Sequence, residues 1–125
     1  KNYEEARTTY QDFLHSEGHY KNDVAKTLTY IENNYMQKIT IADIAATVDF
    51  SESHFMRYFK ETMGTSFVDY LRDYRLTIAS RLLTTSDSSI LDIAAESGFE
   101  NLSYFNRVFK QKYSMTPRQF RKESQ

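Results

Sequence analysis

The sequence predicts an all-α fold of seven helices: two similar helix–corner–helix units joined by one long connecting helix and preceded by a short N-terminal helical linker. Three observations lead there. Only 3 glycines and 1 proline in 125 residues leave few places for hairpins. No segment sustains the alternation of polar and apolar residues that a strand needs. Capping residues recur just ahead of apolar runs spaced three and four apart. A chain of this length can enclose one apolar core without metals or crosslinks. The absence of cysteine excludes a disulfide framework and a thiolate metal site, and fits a reducing compartment. No apolar run approaches the roughly 20 residues needed to cross a bilayer. The start carries neither a signal-peptide core nor a lipidation motif, so a soluble, cytoplasmic protein with no membrane contact is expected.

In chain order, residues 3–16 match a short amphipathic helix through Tyr3, Ala6, Tyr10, Phe13 and Leu14, ended by Gly18. Asn22 or Asp23 then caps a helix with Val24, Leu28, Ile31 and Tyr35 on one face. Thr40 and Asp43 form a capping-box variant that opens a short helix through Ile44, Ala45 and Val48. Past the Val48-Asp49-Phe50 corner, Ser51 caps a helix with Phe55, Phe59 and Met63 inside, stopped by Gly64. Ser66 and Asp69 start the longest pattern, through Phe67, Tyr70, Leu71, Tyr74, Ile78, Leu82 and Leu83, a connecting helix of about 20 residues. Ser89 with Asp92, Ile93-Ala94-Ala95 and Gly98-Phe99 then repeat the box, the short helix and the corner. Asn101 or Glu100 caps a helix with Phe105, Val108, Phe109 and Tyr113 inside, and Thr116 with Pro117 opens the last helix.

The domain proper is therefore expected over 22–125, with a first unit at about 24–64, a connector at 66–85 and a second unit at 89–124. The chain begins with Lys1 rather than methionine and so reads as a fragment. Residues 1–21 are either a linker closing a removed upstream sensor or dimerisation domain, which that start favours, or an extension packing on the domain.

The halves align as Asp43-Ile44-Ala45-Ala46 on Asp92-Ile93-Ala94-Ala95, Phe50 on Phe99, and Phe55, Arg57, Phe59 and Lys60 on Phe105, Arg107, Phe109 and Lys110. The offset grows from 49 to 50, so the second corner carries one extra residue. Two copies cannot make a solenoid, which needs about three or more. The repeat is a duplicated functional unit, and a short helix, a tight corner and a longer helix with a polar outer face describe a helix-turn-helix. Each corner needs a residue tolerant of left-handed geometry, met by Gly98 freely and by Asp49 at modest cost. Ala45 and Ala94 let the short helix lie close to the longer one. A connector of about 20 residues spans roughly 30 Å, close to the ~34 Å between successive major-groove faces on one side of B-DNA.

The formal net charge of −1 is low for a DNA binder, but its distribution is uneven. Residues 1–23 hold three bases and five acids, whereas 101–122 hold Arg107, Lys110, Lys112, Arg118, Arg121 and Lys122 and no acid. With the phenylalanines inside, the outer stripes are Ser53, Met56, Arg57 and Lys60 on one helix (about 51–62) and Ser103, Asn106, Arg107 and Lys110 on the other (about 101–113). Both have i, i+3, i+4, i+7 spacing, so each is one helical face. Arginine can grip guanine through two hydrogen bonds, asparagine can do so with adenine, and Met56 can pack on a thymine methyl. Such stripes on an isolated helix are usually solvated surface; recurrence in both halves favours function. Lys60 and Lys110, further from the helix starts, suit phosphate. Thr40, Ser51, Ser89 and Thr116 read first as caps, at helix N-termini that also hold phosphate well. Arg75, amid the connector's apolar residues, reads as a structural ion-pair partner rather than a DNA contact.

From Val24 to Lys122, roughly four fifths of the chain, these motifs resemble the C-terminal DNA-binding domain of the AraC/XylS family of transcription regulators. The diagnostic stretches are Ser89-Ile90-Leu91-Asp92-Ile93-Ala94, Gly98-Phe99, Tyr104-Phe105-Asn106-Arg107-Val108-Phe109-Lys110 and Thr116-Pro117-Arg118-Gln119-Phe120-Arg121. Tyr70-Leu71, Arg75, Ala79 and Leu82-Leu83 are similar to its connector, and Asp49 stands where the family often has glycine. The resemblance implies major-groove binding by the third and sixth of seven helices, with the two stripes at the family's base-facing sites. It also implies a separate upstream domain and activation of transcription, with RNA polymerase a candidate partner beside double-stranded DNA. The isolated domain is then expected to be monomeric, and the full-length protein a candidate dimer through the upstream domain.

Other classes fit less well. A hydrolase needs a nucleophile, a base and an orienting acid, and His15, His19 and His54 stand in no such motif. His15 and His19 are four apart, but Gly18 interrupts the helix and no further ligand is evident, so both read as surface residues. Neither enzyme activity, a cofactor nor a metal is expected. A helical protein-interaction adaptor is the alternative, which salt separates from a DNA binder.

Overall fold

The structure is a computed structural model that describes residues 21–125, with side chains from Asp23 onward. The expected helix over 3–16, its Gly18 stop, His15 and His19 lie outside the described residues. Among these residues there are seven helices and no strand: α1 (Lys21–Asn34), α2 (Ile41–Ala46), α3 (Glu52–Met63), α4 (Phe67–Thr85), α5 (Ile90–Glu96), α6 (Leu102–Tyr113) and α7 (Pro117–Glu123). They form two compact units. The first comprises 21–34 and 39–71, the second 35–38 and 72–125, so α4 contributes to both and a short stretch after α1 belongs to the second.

In the first unit, α1 buries Val24, Leu28 and Ile31. It already begins at Lys21, so Asn22 and Asp23 lie inside its first turn instead of capping it, and Tyr35 falls beyond its end. Thr40 Oγ1 accepts from Asp43 N at 3.0 Å and Ser51 Oγ from His54 N at 3.1 Å, which fixes the starts of α2 and α3. Phe55 and Phe59 pack against Phe67 from α4 at ring separations of 5.5 and 5.6 Å, edge to face. Gly64 closes α3 in the left-handed conformation (φ 78°) and its N–H returns to Lys60 O.

The second unit repeats this construction. Leu76, Ala79 and Leu83 of α4 join Ile93, Ala94, Phe99, Phe105, Val108 and Phe109 in one core. Leu76 is fully buried although it breaks the stripe expected for the connector, because α4 serves two cores in succession and need not keep one stripe. Asn101, not Glu100, caps α6, accepting from Tyr104 N at 2.8 Å. Ser114 ends α6 where Gly64 ends α3, also left-handed (φ 62°), with its N–H on Lys110 O. At Thr116 both halves of a capping box are made with Gln119.

The two corners share their closing bond. Phe50 N donates to Ala45 O at 3.0 Å and Phe99 N to Ala94 O at 2.9 Å, after left-handed Asp49 (φ 57°) and Gly98 (φ 98°). Ala45 and Ala94 are both buried, as the close helix contact requires. Gly98 meets a second constraint: a Cβ there would collide with the carbonyl oxygen of Tyr35 and come within 2.7 Å of Arg75 Nε.

Arg75 is structural, but through carbonyls rather than the expected ion pair. Its Nε donates to Tyr35 O and its Nη2 to Gln37 O, both at 2.8 Å. Burial pushes its pKa down, partly offset by the Glu100 carboxylate. Arg121 plays a comparable part, donating to Leu83 O and Ser86 O at the end of α4.

Replacing Gly98 by alanine should destabilise the protein by about 2 kcal/mol or more, since strain and collision add. Ser114→Gly should stabilise it by about 1 kcal/mol by relieving a left-handed non-glycine residue. Arg75→Met should cost about 1–3 kcal/mol through two carbonyls left without these donors. Urea-unfolding midpoints of the three variants measure all of these effects.

Candidate nucleic-acid interface

The outer face of α3 is what its buried face leaves over. With Phe55, Phe59, Thr62 and Met63 turned inward, Ser53, Arg57 and Lys60 are exposed and Met56 is half-buried. These four residues line one open groove with Glu52 and Glu61 of the same helix, bordered by Ile41 and Ser66. Arg57 Nε lies 4.0 Å from Glu61 Oε1, one turn on. At the start of the helix, the His54 ring stacks on Phe50 with centroids 4.0 Å apart.

The outer face of α6 presents Ser103, Asn106, Arg107 and Lys110, all exposed, opposite Phe105, Val108 and Phe109. No acid occurs anywhere in this helix. The Arg107 guanidinium carbon stands 5.2 Å from the centroid of the Tyr104 ring, a cation–π contact that restricts where the fork can point. The structure therefore brings each expected stripe onto a single exposed helix face.

Thr40, Ser51, Ser89 and Thr116 each spend a side-chain oxygen on their own helix, accepting the N–H three residues on at 3.0–3.2 Å. Their hydroxyl hydrogens remain able to donate outward. Two of the six cations counted in the C-terminal run are committed within the second unit. Arg121 holds carbonyls, and Lys112 lies 3.9 Å from Asp73 Oδ1. Arg118 and Lys122 of α7 stay exposed, as do Arg107 and Lys110 of α6.

Tyr104, named from the sequence only within a diagnostic stretch, and Glu61, not named at all, were not expected as partners of the two arginines. Both were within reach of it, since they stand three residues before Arg107 and four after Arg57, the spacings at which helix side chains meet. Among the described residues no group of three or more His, Asp or Glu side chains is placed to hold a metal. Among the same residues no helix is long and apolar enough to cross a membrane.

A family model described as a helix-turn-helix domain matches residues 35–123. The HTH-type transcriptional regulator YbfP of Bacillus subtilis is 37% identical over 103 residues, which cover 82% of this chain and 35% of that protein. The chain spans about a third of the length of some curated relatives it matches and 13% of others. The C-terminal domain of the two-component response regulator yesN from Fusobacterium nucleatum has a similar structure, with TM-score 0.77 and 33% identity over 80% of this chain and 98% of that one. A probable AraC family transcriptional regulator from Rhodopseudomonas palustris gives TM-score 0.73 and 26% identity over 83% and 98%. The DNA-binding domain of the global transcriptional factor AdpA, solved in complex with a target DNA, gives TM-score 0.75 and 25% identity over 79% and 89%. A duplicated unit with matching corners, the family model covering most of it and these relatives agree: the chain belongs to the AraC family of helix-turn-helix transcriptional regulators, as a DNA-binding domain.

Proposed function

We propose that this domain binds a specific duplex sequence by laying α3 and α6 into successive major grooves. The observation that carries the reading is the recurrence of one exposed polar stripe, at the same places on the second helix of both units, behind matching corners. Ser53, Met56 and Arg57 on α3, and Ser103, Asn106 and Arg107 on α6, face base edges in this reading. Arg57 and Arg107 take guanine O6 and N7, Asn106 takes adenine, and Met56 packs on a thymine methyl. Lys60 and Lys110 neutralise phosphates, and Thr40, Ser51, Ser89 and Thr116 add hydroxyl and helix N-terminal donors to the backbone. The 19 residues of α4 make a helix about 28 Å long, commensurate with the ~34 Å repeat of the groove. The complex of the AdpA domain with a target DNA supports DNA as the partner.

Each unit alone binds weakly, and the connector makes the second contact effectively intramolecular. The domain is a monomer that acts within a longer, cytoplasmic protein and spans 22–125, with residues 1–21 a linker or the end of an upstream domain. That protein dimerises through its upstream domain and activates transcription by contacting RNA polymerase from a site near the promoter.

Selection of bound sequences from random duplex DNA should return two half-sites about one helical turn apart. On the selected site, Arg57→Ala and Arg107→Ala should each cost about 1–3 kcal/mol by fluorescence anisotropy. An equal loss on every sequence would reassign them to phosphate. Affinity should also fall steeply with added salt through counterion release, whereas a salt-independent association would point to an adaptor that binds protein.

A further inference from the structure

Arg57 and Arg107 occupy the same place in their helices, yet they are held by opposite chemistries. Arg107 lies over the Tyr104 ring on a helix without acids. Arg57 lies beside the Glu61 carboxylate, on a helix that also carries Glu52 in its first turn. The counterpart of Glu61 in α6 is Gln111, similar in shape and uncharged.

The Arg57–Glu61 pair is 68% and 71% exposed, and an exposed pair one turn apart contributes little to a helix, so the fold does not require it. Its place is unfavourable for a surface that meets a polyanion: Glu61 opens onto the same groove as Ser53, Met56, Arg57 and Lys60. Phosphates repel a carboxylate there, and closing the interface strips its water. Within a major groove the exocyclic amine of cytosine relieves this best: it donates where a carboxylate accepts, whereas the adenine amine stands beside the N7 acceptor, which repels the second carboxylate oxygen. Four residues of helix rise about 6 Å, so the two side chains reach bases within roughly two steps of each other, and Glu61 is turned by about 100° from Lys60, toward the side of Arg57 and away from the lysine assigned to phosphate.

We propose that Glu61 is a specificity-determining residue of the first unit, a charge filter best satisfied by a cytosine amine close to the guanine taken by Arg57. This rests on the reading of α3 as a DNA-reading helix. On sequences lacking that cytosine, the carboxylate keeps its repulsion and holds Arg57 against itself. On the right one, both side chains exchange each other for base edges. The second unit, with glutamine at the equivalent place, lacks such a filter and tolerates a wider range of sequences.

Glu61→Gln in this chain tests the idea by anisotropy titration at several salt concentrations. The probes are a selected duplex, single-base variants of it, and a random-sequence duplex. Glu61→Gln should bind the random duplex about three- to tenfold more tightly, with a steeper salt dependence. It should also lose the preference for cytosine at one position near the guanine that Arg57 reads. The reciprocal Gln111→Glu should weaken binding to the random duplex. Unchanged affinities and base preferences in Glu61→Gln would overturn the proposal. So would tighter binding with base preferences intact, because the carboxylate would then act as uniform repulsion alone. Arg57→Ala, measured alongside, separates the two levels. If it weakens binding to the selected site while Glu61→Gln changes nothing, only the filter fails. If neither Arg57→Ala nor Ser53→Ala alters binding to any duplex, α3 does not face DNA and both readings fail.

Discussion

One left-handed residue at each corner sets the direction in which the second helix of the unit leaves the first. A single backbone bond locks it there, from Phe50 N to Ala45 O and from Phe99 N to Ala94 O. Because that bond ends on the alanine that lies buried against the longer helix, the turn and the helix packing are one constraint. A larger side chain at Ala45 or Ala94 would lever the helices apart and break the bond that defines the corner. The buried phenylalanine pairs, and hence the outward stripes, take their orientation from it.

The two units meet this constraint with different residues. At the corners the left-handed place falls to Asp49 in one and Gly98 in the other; at the ends of the longer helices it falls to Gly64 and Ser114. Each unit therefore has one glycine and one substitute at the two positions. Gly98 is not interchangeable with Asp49, because its missing side chain makes room for the Tyr35 carbonyl on which Arg75 closes. The four residues after α1 are thereby fastened into the second unit, although they are neighbours in sequence of the first.

The polar faces diverge in the same way. Equivalent arginines stand on an aromatic ring in one helix and beside a carboxylate in the other. A duplicated scaffold thus keeps its corner bonds while changing the partners of its equivalent arginines, so the two polar faces differ in charge. The net charge of −1 conceals this, since the basic run belongs to the second unit and the acids are concentrated elsewhere. The run is itself less uniform than its composition suggests, because Arg121 and Lys112 are engaged inside the fold.

Among the described residues, the number of helices, most of their limits, the repeat and the outward stripe on each of α3 and α6 were determined by the sequence alone. Caps and periodicity act between residues three and four apart, so Thr40, Ser51, Ser89, Asn101 and Thr116 carry their own evidence. The start of α1 escaped because Asn22 and Asp23 suit the first turn as well as the cap. Ser114 escaped because serine gives no sign of a left-handed cap. Only the tertiary structure decided that Arg75 meets carbonyls 38 and 40 residues away, and that Leu76 is buried in a helix shared by two cores. It also decided that the Tyr104 ring turns toward Arg107. Spacing says which side chains can reach one another; which contact forms depends on what the rest of the chain has already buried.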